Sequence, residues 1–551
     1  MALPADAFEP KSISVFREGY SLDRLKSDAI AGLTVAIVAL PLSMAIAIAS
    51  GVTPDRGLYT AIIGGFLVSA LGGSRHQIGG PAGAFIVLVA ATVARHGVDG
   101  LLLATAISGL FLIMAGALRL GSYVKFIPFP VTVGFTAGIA VIIFASQLTD
   151  LFGLTLPVKE PGPLVDKLPI LLSAWRTASL PAVATAALTI AVILTLRRFA
   201  PRLPGLLIAV VVASTISATF GLDIATIGSR FGGIPRTLPV PALPHVTPEL
   251  LLAVLPDAAA FALLGSIESL LSAVVADGMT GRRHRSNVEL IGQGVANIGS
   301  ALFGGICVTG TIARTATNVR AGATSPVSGM FHALFLLLFT LLAAPLASYI
   351  PLAALAGVLA VVAWNMIERP AFAALVRSSR GDAAVLLVTF LLVVFRDLTE
   401  GILVGFSLGA LLFIGRMSKA MTIGPHAETS PERPLDQGDG DTVVYRLSGA
   451  FFFGATATVG AVLDRIADRH RHFVLDFSDV SLLDATAANV IEGTVRKAER
   501  AGVAVYMAGV GPDLRRMLEA HELTAGRVRY VATIPEARAL IAQAEEVSSR
   551  A

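Results

Sequence analysis

The sequence predicts an α-helical polytopic protein of about fourteen membrane spans, followed by a small α/β domain. Three observations carry this prediction. Charged residues make up 15% of the 551 residues and hydrophobic residues 54%, whereas a soluble globular chain is about 25% charged. Apolar runs recur over residues 29–418, broken by Gly, Pro and charge. Beyond Lys419 charges become dense, and short β-rich stretches alternate with amphipathic ones.

Four regions follow in order. Residues 1–28 are polar and lack the apolar core of a signal peptide. Residues 29–420 form the transmembrane domain. Spans are expected to begin near Ala29, Leu58, Pro81, Leu101, Pro130, Pro181 and Pro204, and again near Pro256, Glu289, Thr311, Val327, Ile350, Asp382 and Leu398. The third and tenth are shorter and rich in Gly, Ala, Ser and Thr, and they hold matching places in two sets of seven. Short, Gly/Pro-interrupted segments at corresponding positions of two halves point to a transporter's binding site. Loop Lys and Arg divide 19 to 8 in favour of the side that holds both termini, which places the termini in the cytoplasm. Residues 421–441 read as a linker, Pro-, Gly- and acid-rich from His426 to Asp441. Residues 442–551 read as the α/β domain: a strand pair over Val443 to Phe453, a helix from Ala455 to His470, a strand from Phe473 to Phe477, a helix from Thr486 to Ala501, a strand from Val503 to Ala508 and a helix from Pro512 to His521. Such alternation predicts a mostly parallel sheet.

Composition also excludes several classes. A net charge of +4 over this length marks no nucleic-acid surface. The single cysteine, Cys307, allows no intrachain disulfide. No histidines show metal-ligand spacing, no phosphate-binding Gly-rich loop with its Lys is present, and no nucleophile–base pair stands out in the membrane part. The chain is therefore expected to be neither an enzyme nor an ATP-driven pump, and to need no cofactor beyond a coupling H+ or Na+.

Two membrane segments could carry chemistry. In the first, Gly79 to Ala84, Pro81 suits a helix's first turn and the small residues Ala82, Gly83 and Ala84 leave backbone amides open. In the second, Thr309 to Asn318, Thr311 and Ala313 mark a helix start beside a mid-span cation, Arg314. If the two starts face each other, an anion meets two positive helix ends and a guanidinium. The alternative is close small-residue helix packing. A mid-span charge is by default functional; otherwise Arg314 pairs with a carboxylate, for which Glu268 is the candidate. Glu268 is itself a candidate coupling group for a proton, or for a cation held with Ser269 and Ser272. Arg282, Arg283 and Arg285 after Asp277 read as topological charges. Gly401, Gly405 and Gly409 form a helix-packing ridge.

Pro54-Asp55-Arg56-Gly57-Leu58-Tyr59-Thr60-Ala61 with Gly72-Gly73-Ser74-Arg75, and the stretch from Gly265 to Asn287, resemble the sulfate permease family, with Arg56 where a Tyr is usual. The C-terminal domain resembles STAS domains and anti-sigma-factor antagonists. The resemblance, to a bacterial member, implies a 7+7 inverted repeat shared with uracil permeases, split into core and gate domains, in an inner (plasma) membrane. It places substrate between the third and tenth helix starts, at Ala82 to Ala84, Ala313 and Arg314, with Leu42 and Ser43 on the first helix. Many members have Gln at Leu42 and animal members an aromatic at Ala82. Sodium-coupled bicarbonate members have Asp at Glu268 and Thr at Ser272. Members often dimerise. Thr486 falls where STAS-like proteins carry a phosphorylatable Ser or Thr, which implies a cytoplasmic protein partner; the plain alternative is that Asp484 and Thr486 cap a helix. The implied function is secondary active transport of an inorganic anion by alternating access: sulfate, bicarbonate or a C4-dicarboxylate, coupled to protons or sodium. An uncoupled exchanger or channel, a nucleobase permease and a membrane-anchored signalling scaffold are the rival readings.

Overall fold

A computed structural model of the chain describes residues 8–126, 128–158, 164–201, 203–244, 246–396, 398–420, 422–425, 442–452 and 471–550. These form two compact units, Met1–Phe406 and Ser407–Ala551.

Helix α1 spans Leu22–Ala49 and starts where the Ser21 hydroxyl accepts from the Arg24 N–H at 3.3 Å. This is about two turns before the apolar run at Ala29. Helix α2 is Pro54–Tyr59, continued through a π-turn at Thr60–Gly64 into Gly65–Leu71. Strand β1, Gly79–Gly80, leads through a tight turn, Gly83–Phe85, into α3, Ile86–Ala117. Gly97, at φ 68°, breaks α3 into two limbs, because a left-handed residue interrupts the hydrogen-bond ladder. Helices α4 (Phe129–Phe152), α5 (Leu180–Phe199) and α6 (Gly205–Thr219) complete the first half. The second half runs α7 (Pro248–Thr280), α8 (Ser286–Leu302), β2 (Thr309–Gly310), α9 (Ile312–Arg320), α10 (Val327–Ala347), α11 (Leu352–Met366), α12 (Arg380–Phe395) and α13 (Leu398–Ala420). Among the described residues, eight helices are long and apolar enough to cross a membrane alone. With the limbs of α3 and the shorter helices, each half supplies seven segments in matching order. The expected start at Pro256 is corrected: α7 begins at Pro248 and carries Pro256 inside it.

The halves interlock. Helices α8 and α7 lie along α3, α10 along α1, and α11 and α12 along α4. One apolar core joins α1, α3, α4 and α7, with Met44, Phe85 and Phe261 buried and the two Phe rings 6.0 Å apart. Gly401 and Gly405 of α13 abut Val393 and Thr389 of α12, as the small-residue ridge predicts.

The C-terminal unit holds a five-stranded sheet: β3 (Thr422–Pro425), β4 (Thr442–Phe451), β5 (His472–Leu483), β6 (Ala504–Ala508) and β7 (Arg529–Val531), in that order. Strand β3 is antiparallel to β4 and the other pairs are parallel. Alternate residues of β5 face opposite ways. Phe473, Leu475 and Phe477 pack with Ile491 and Val495 of α14 (Ala485–Arg500), while Val474 packs with Ile534 and Ala537 of α16 (Ile534–Arg550). Between them, Pro512–Ala520 forms α15. The expected strand pair over Val443 to Phe453 is instead the single strand β4, and its antiparallel partner β3 lies inside the stretch expected as linker. The helix expected from Ala455 to His470 lies outside the described residues, as does the linker from His426 to Asp441. Strand β7 and helix α16 had no counterpart in the sequence reading.

Candidate functional site

Strands β1 and β2 pair antiparallel, Gly79 opposite Gly310 and Gly80 opposite Thr309. Each runs straight into a helix start. Ala82 (φ −114°, ψ 147°) and Thr311 (φ −108°, ψ 122°) are the last extended residues. The two short segments singled out by sequence are thus hydrogen-bonded neighbours, and the Thr311 N–H adds a bond to the Ile78 carbonyl at 3.0 Å. A helix leaves its first N–H groups without intrahelical partners and carries partial positive charge there. Here two such ends, at Gly83 and Ile312, flank one crossing.

Arg314, the third residue of α9, is 1% exposed. Its Nη2 donates to Ser43 Oγ on α1 at 3.2 Å and to the Pro81 carbonyl at 3.3 Å. Its Nε and Nη1 have no hydrogen-bond partner among the described residues. A Cβ at Gly80 would stand 2.1 Å from Nη1, so only glycine leaves the guanidinium its place. No carboxylate among the described residues pairs with Arg314, so the structural ion pair with Glu268 is not formed. Ser43, Ala82, Ala84 and Thr311 are buried around this crossing, and Gly83 faces Ile143 of α4 and Met366 of α11. Ala313 is exposed and Ile312 is 41% exposed, so α9 has one buried and one open face.

Glu268, on α7, has an Oε2 with no partner among the described residues. Ser272, one turn on, donates to Thr315 Oγ1 at 3.1 Å, and the same oxygen accepts from the Ile78 N–H at 3.1 Å. Ser272 therefore ties α7 to α9 and β1. Thr309 Oγ1 donates to the Gly265 carbonyl at 3.2 Å, which holds β2 on α7 one turn from Glu268.

Sequence reasoning missed two buried carboxylates. Glu289 of α8 is 0% exposed. It accepts from the N–H groups of Gly73 (2.8 Å) and Ser74 (3.1 Å), from Gln77 Nε2 (3.0 Å), from Ser269 Oγ (3.1 Å) and from Gln293 Nε2 (3.3 Å). Asp28, also 0% exposed, accepts from Tyr20 Oη (2.6 Å), the Ser325 N–H (3.2 Å), and the Thr324 and Ser325 hydroxyls. It pins the base of α1 to the turn between α9 and α10. A Glu in the first turn of an apolar span was the available signal for Glu289. Of the cluster after Asp277, His284 and Arg285 make structural bonds: Asp277 accepts from the His284 N–H at 3.0 Å, and the Arg285 N–H donates to the Gly73 carbonyl at 2.9 Å, while Arg282 and Arg283 are exposed. In the C-terminal unit Asp484 caps α14, accepting from the Ala487 N–H at 2.8 Å, and Thr486 is exposed beside it.

Residues 25–389 match the model of the Sulfate permease family, and residues 433–530 that of the STAS domain. YvdB of Bacillus subtilis, named for sulfate transport, is 40% identical over 91% of this chain and 94% of its own. The bicarbonate transporter BicA of Picosynechococcus is 32% identical over 90% of each chain. Among solved structures, the transmembrane domain of a cyanobacterial BicA superimposes with a TM-score of 0.62 at 34% identity, covering 69% of this chain and 98% of that one. The overall structure of SLC26A9 gives 0.86 at 18% identity, covering 99% and 94%, a likeness of fold. The relatives are transporters, and the chain belongs to the sulfate permease family, as a multi-pass membrane protein with a STAS domain at its C-terminal end.

Proposed function

We propose that this protein is a secondary active transporter of a small inorganic anion, sulfate or bicarbonate first and a C4-dicarboxylate second, working by alternating access. The observation that carries the reading is the buried Arg314 guanidinium, two of whose nitrogens lack partners among the described residues, beside two helix starts. A buried cation without a counter-charge is costly, and a bound anion removes that cost. Ser43, Ala82, Gly83, Ala84, Thr311 and Ala313 form the binding site around it. The core elements α1 to α3 and α7 to α10 move against the gate helices α4 to α6 and α11 to α13. Glu268, with its unpartnered oxygen, couples the anion to H+ or Na+, and Ser272 holds α7 against α9 while this happens. A positive, desolvated site disfavours an uncharged nucleobase.

The basic-residue asymmetry supports an inner-membrane orientation with both termini in the cytoplasm, and the family supports a homodimer. Thr486 is exposed at a helix start, where phosphorylation adds about −1.5 to −2 charges and redirects a partner; this is its proposed regulatory role. The test is uptake of radiolabelled sulfate, bicarbonate, succinate, nitrate and chloride into proteoliposomes under imposed proton and sodium gradients. At least one anion enters with wild type, and none enters with Arg314→Ala although that variant reconstitutes normally. Unimpaired uptake by Arg314→Ala sinks the site. Glu268→Gln loses its dependence on one gradient; unchanged dependence removes Glu268 from coupling.

A further inference from the structure

Arg314 is one end of a longer strip of unpartnered polar atoms. Asn318 lies one turn further along α9. Its Nδ2 donates to the His76 carbonyl at 3.0 Å and to Ser328 Oγ at 2.8 Å, while its Oδ1 has no partner among the described residues. His76 is 5% exposed, and both of its ring nitrogens lack partners among the same residues. Ser328 lies in the first turn of α10, and one turn along that helix His332 is 0% exposed, with both ring nitrogens likewise unpartnered among the described residues. A Cβ on Gly65 of α2 would lie 3.7 Å from the His332 ring and 2.8 Å from the Gly79 carbonyl, so the imidazole sits beside the strand crossing. Seven buried nitrogen and oxygen atoms on four side chains are thus left without partners among the described residues, and Asn318 bonds both the His76 carbonyl and Ser328, one turn before His332. Buried polar atoms in native proteins nearly always have partners, and where protein supplies none, ordered water does.

Among the described residues, Arg314 of α9 is the charge that acts on His332: its Nη1 lies against Gly80, and Gly79 adjoins the same face of α2 as the His332 ring. Asp28 of α1 is occupied by Tyr20, Thr324 and Ser325, and Arg75, next to His76, is paired with Glu18. On the neighbouring part of α2, Gly65 adjoins the His332 ring and Ser69 adjoins Gly329, and neither carries a charge. We propose that His332 is a proton-binding site, distinct from Glu268, reached through buried water along Asn318 and His76 and filled when an anion occupies Arg314. Two cations cannot share so buried a strip without a counter-charge. With the anion site empty, a proton on His332 would face a bare guanidinium. A bound anion supplies the missing negative charge, and a ring nitrogen then takes a proton relayed from the aqueous side through the adjoining water, each water giving up one proton as it receives another. The strip couples one proton to one anion without direct contact between them. This rests on the anion-transport reading above.

The test uses full-length protein in liposomes loaded with a pH-sensitive dye, with radiolabelled sulfate and succinate as probes. Wild type brings protons in with the anion. His332→Gln keeps anion uptake and apparent affinity within about twofold, while one fewer proton is carried per anion. A merely structural histidine would change affinity or yield and leave that ratio alone. An unchanged ratio in His332→Gln, or anion uptake without protons in wild type, overturns the proposal and leaves anion transport standing. If wild type moves neither probe nor any other anion of the panel, the transport reading fails and this one with it. Should His332→Gln not reconstitute, high-resolution cryo-electron microscopy of the wild type decides: water density joining Asn318, His332 and His76 supports the strip, and a dry strip refutes it.

Discussion

Glu289 and Arg314 are both charged, both buried, and both near the start of a short helix in the second half of the membrane unit. They differ in what surrounds them. Five donors converge on Glu289 from the turn after α2, from α7 and from its own helix. Arg314 engages Ser43 and Pro81 through one nitrogen and has two without partners among the described residues. The first region stores its charge in a closed set of bonds and so holds elements together. The second pays for an open position. Burial alone therefore does not distinguish a structural charge from a functional one; the count of partners does.

The largest expected effect falls on the closed region. Glu289→Ala strands buried N–H and O–H donors and should cost about 3–5 kcal/mol, the range for breaking a buried charged set from one side. The measurement is thermal melting in detergent, with yield after membrane extraction as a second readout. A melting temperature within error of wild type would show that these bonds are not what fastens α8 to α7 and to the turn after α2.

Arg314 should behave oppositely. Replacing it by Met removes two charge-assisted hydrogen bonds to the anion, about 100-fold in uptake at limiting substrate, yet leaves melting unchanged or slightly raised, since an uncompensated buried charge is gone. A variant that both melts early and fails to transport would move Arg314 into the same class as Glu289 and erase the contrast.

This contrast explains what the sequence could and could not disclose. The membrane body was legible because apolar runs and their Pro and Gly breaks are local, and the two short segments stood out by composition. Arg314 was legible because a guanidinium inside an apolar run is conspicuous. Glu289 was overlooked because it sits at a span start, where a charge looks like a boundary, and His332 because one histidine within an apolar helix carries no pattern. Whether the two helix starts met depended on the pairing of Gly79–Gly80 with Thr309–Gly310, more than two hundred residues apart, and no local signal encodes such a pairing. In the C-terminal unit β7 was missed because Arg529–Val531 is only three residues long.

A smaller change tests how tightly the open position is shaped. Gly80→Ala puts a methyl 2.1 Å from Arg314 Nη1, so the guanidinium must shift from its place beside Ser43. The expected result is a KM about tenfold higher, equivalent to about 1.4 kcal/mol, with little change in maximal rate or melting. An unchanged KM would mean that the anion does not use the Nη1 side of Arg314.

The smallest effect is predicted in the C-terminal unit, where a buried carboxylate again has its partners but one of them is wet. Asp476 of β5 is opposed to burial's upward push by the Ser478 hydroxyl (2.6 Å) and N–H (3.0 Å) and by Arg446 Nε across the parallel pair (2.7 Å), which together hold its carboxyl below the usual range. The ionised form is therefore the one that stabilises. Its contribution is complete above the ordinary carboxylate value of about 3.9 and is lost as pH falls through the lower, folded value. Arg446 is 41% exposed, so solvent screens that bond and the expected loss in Asp476→Asn is about 1 kcal/mol at neutral pH. Hydrogen exchange of peptides from His472 to Leu483 in the full-length protein measures it. Exchange in Asp476→Asn should be faster than wild type at pH 7, and the two should converge as acid protonates the wild-type carboxyl. A difference that persisted undiminished below the folded value would assign the stabilisation to shape rather than charge, and would make this carboxylate unlike Glu289 after all.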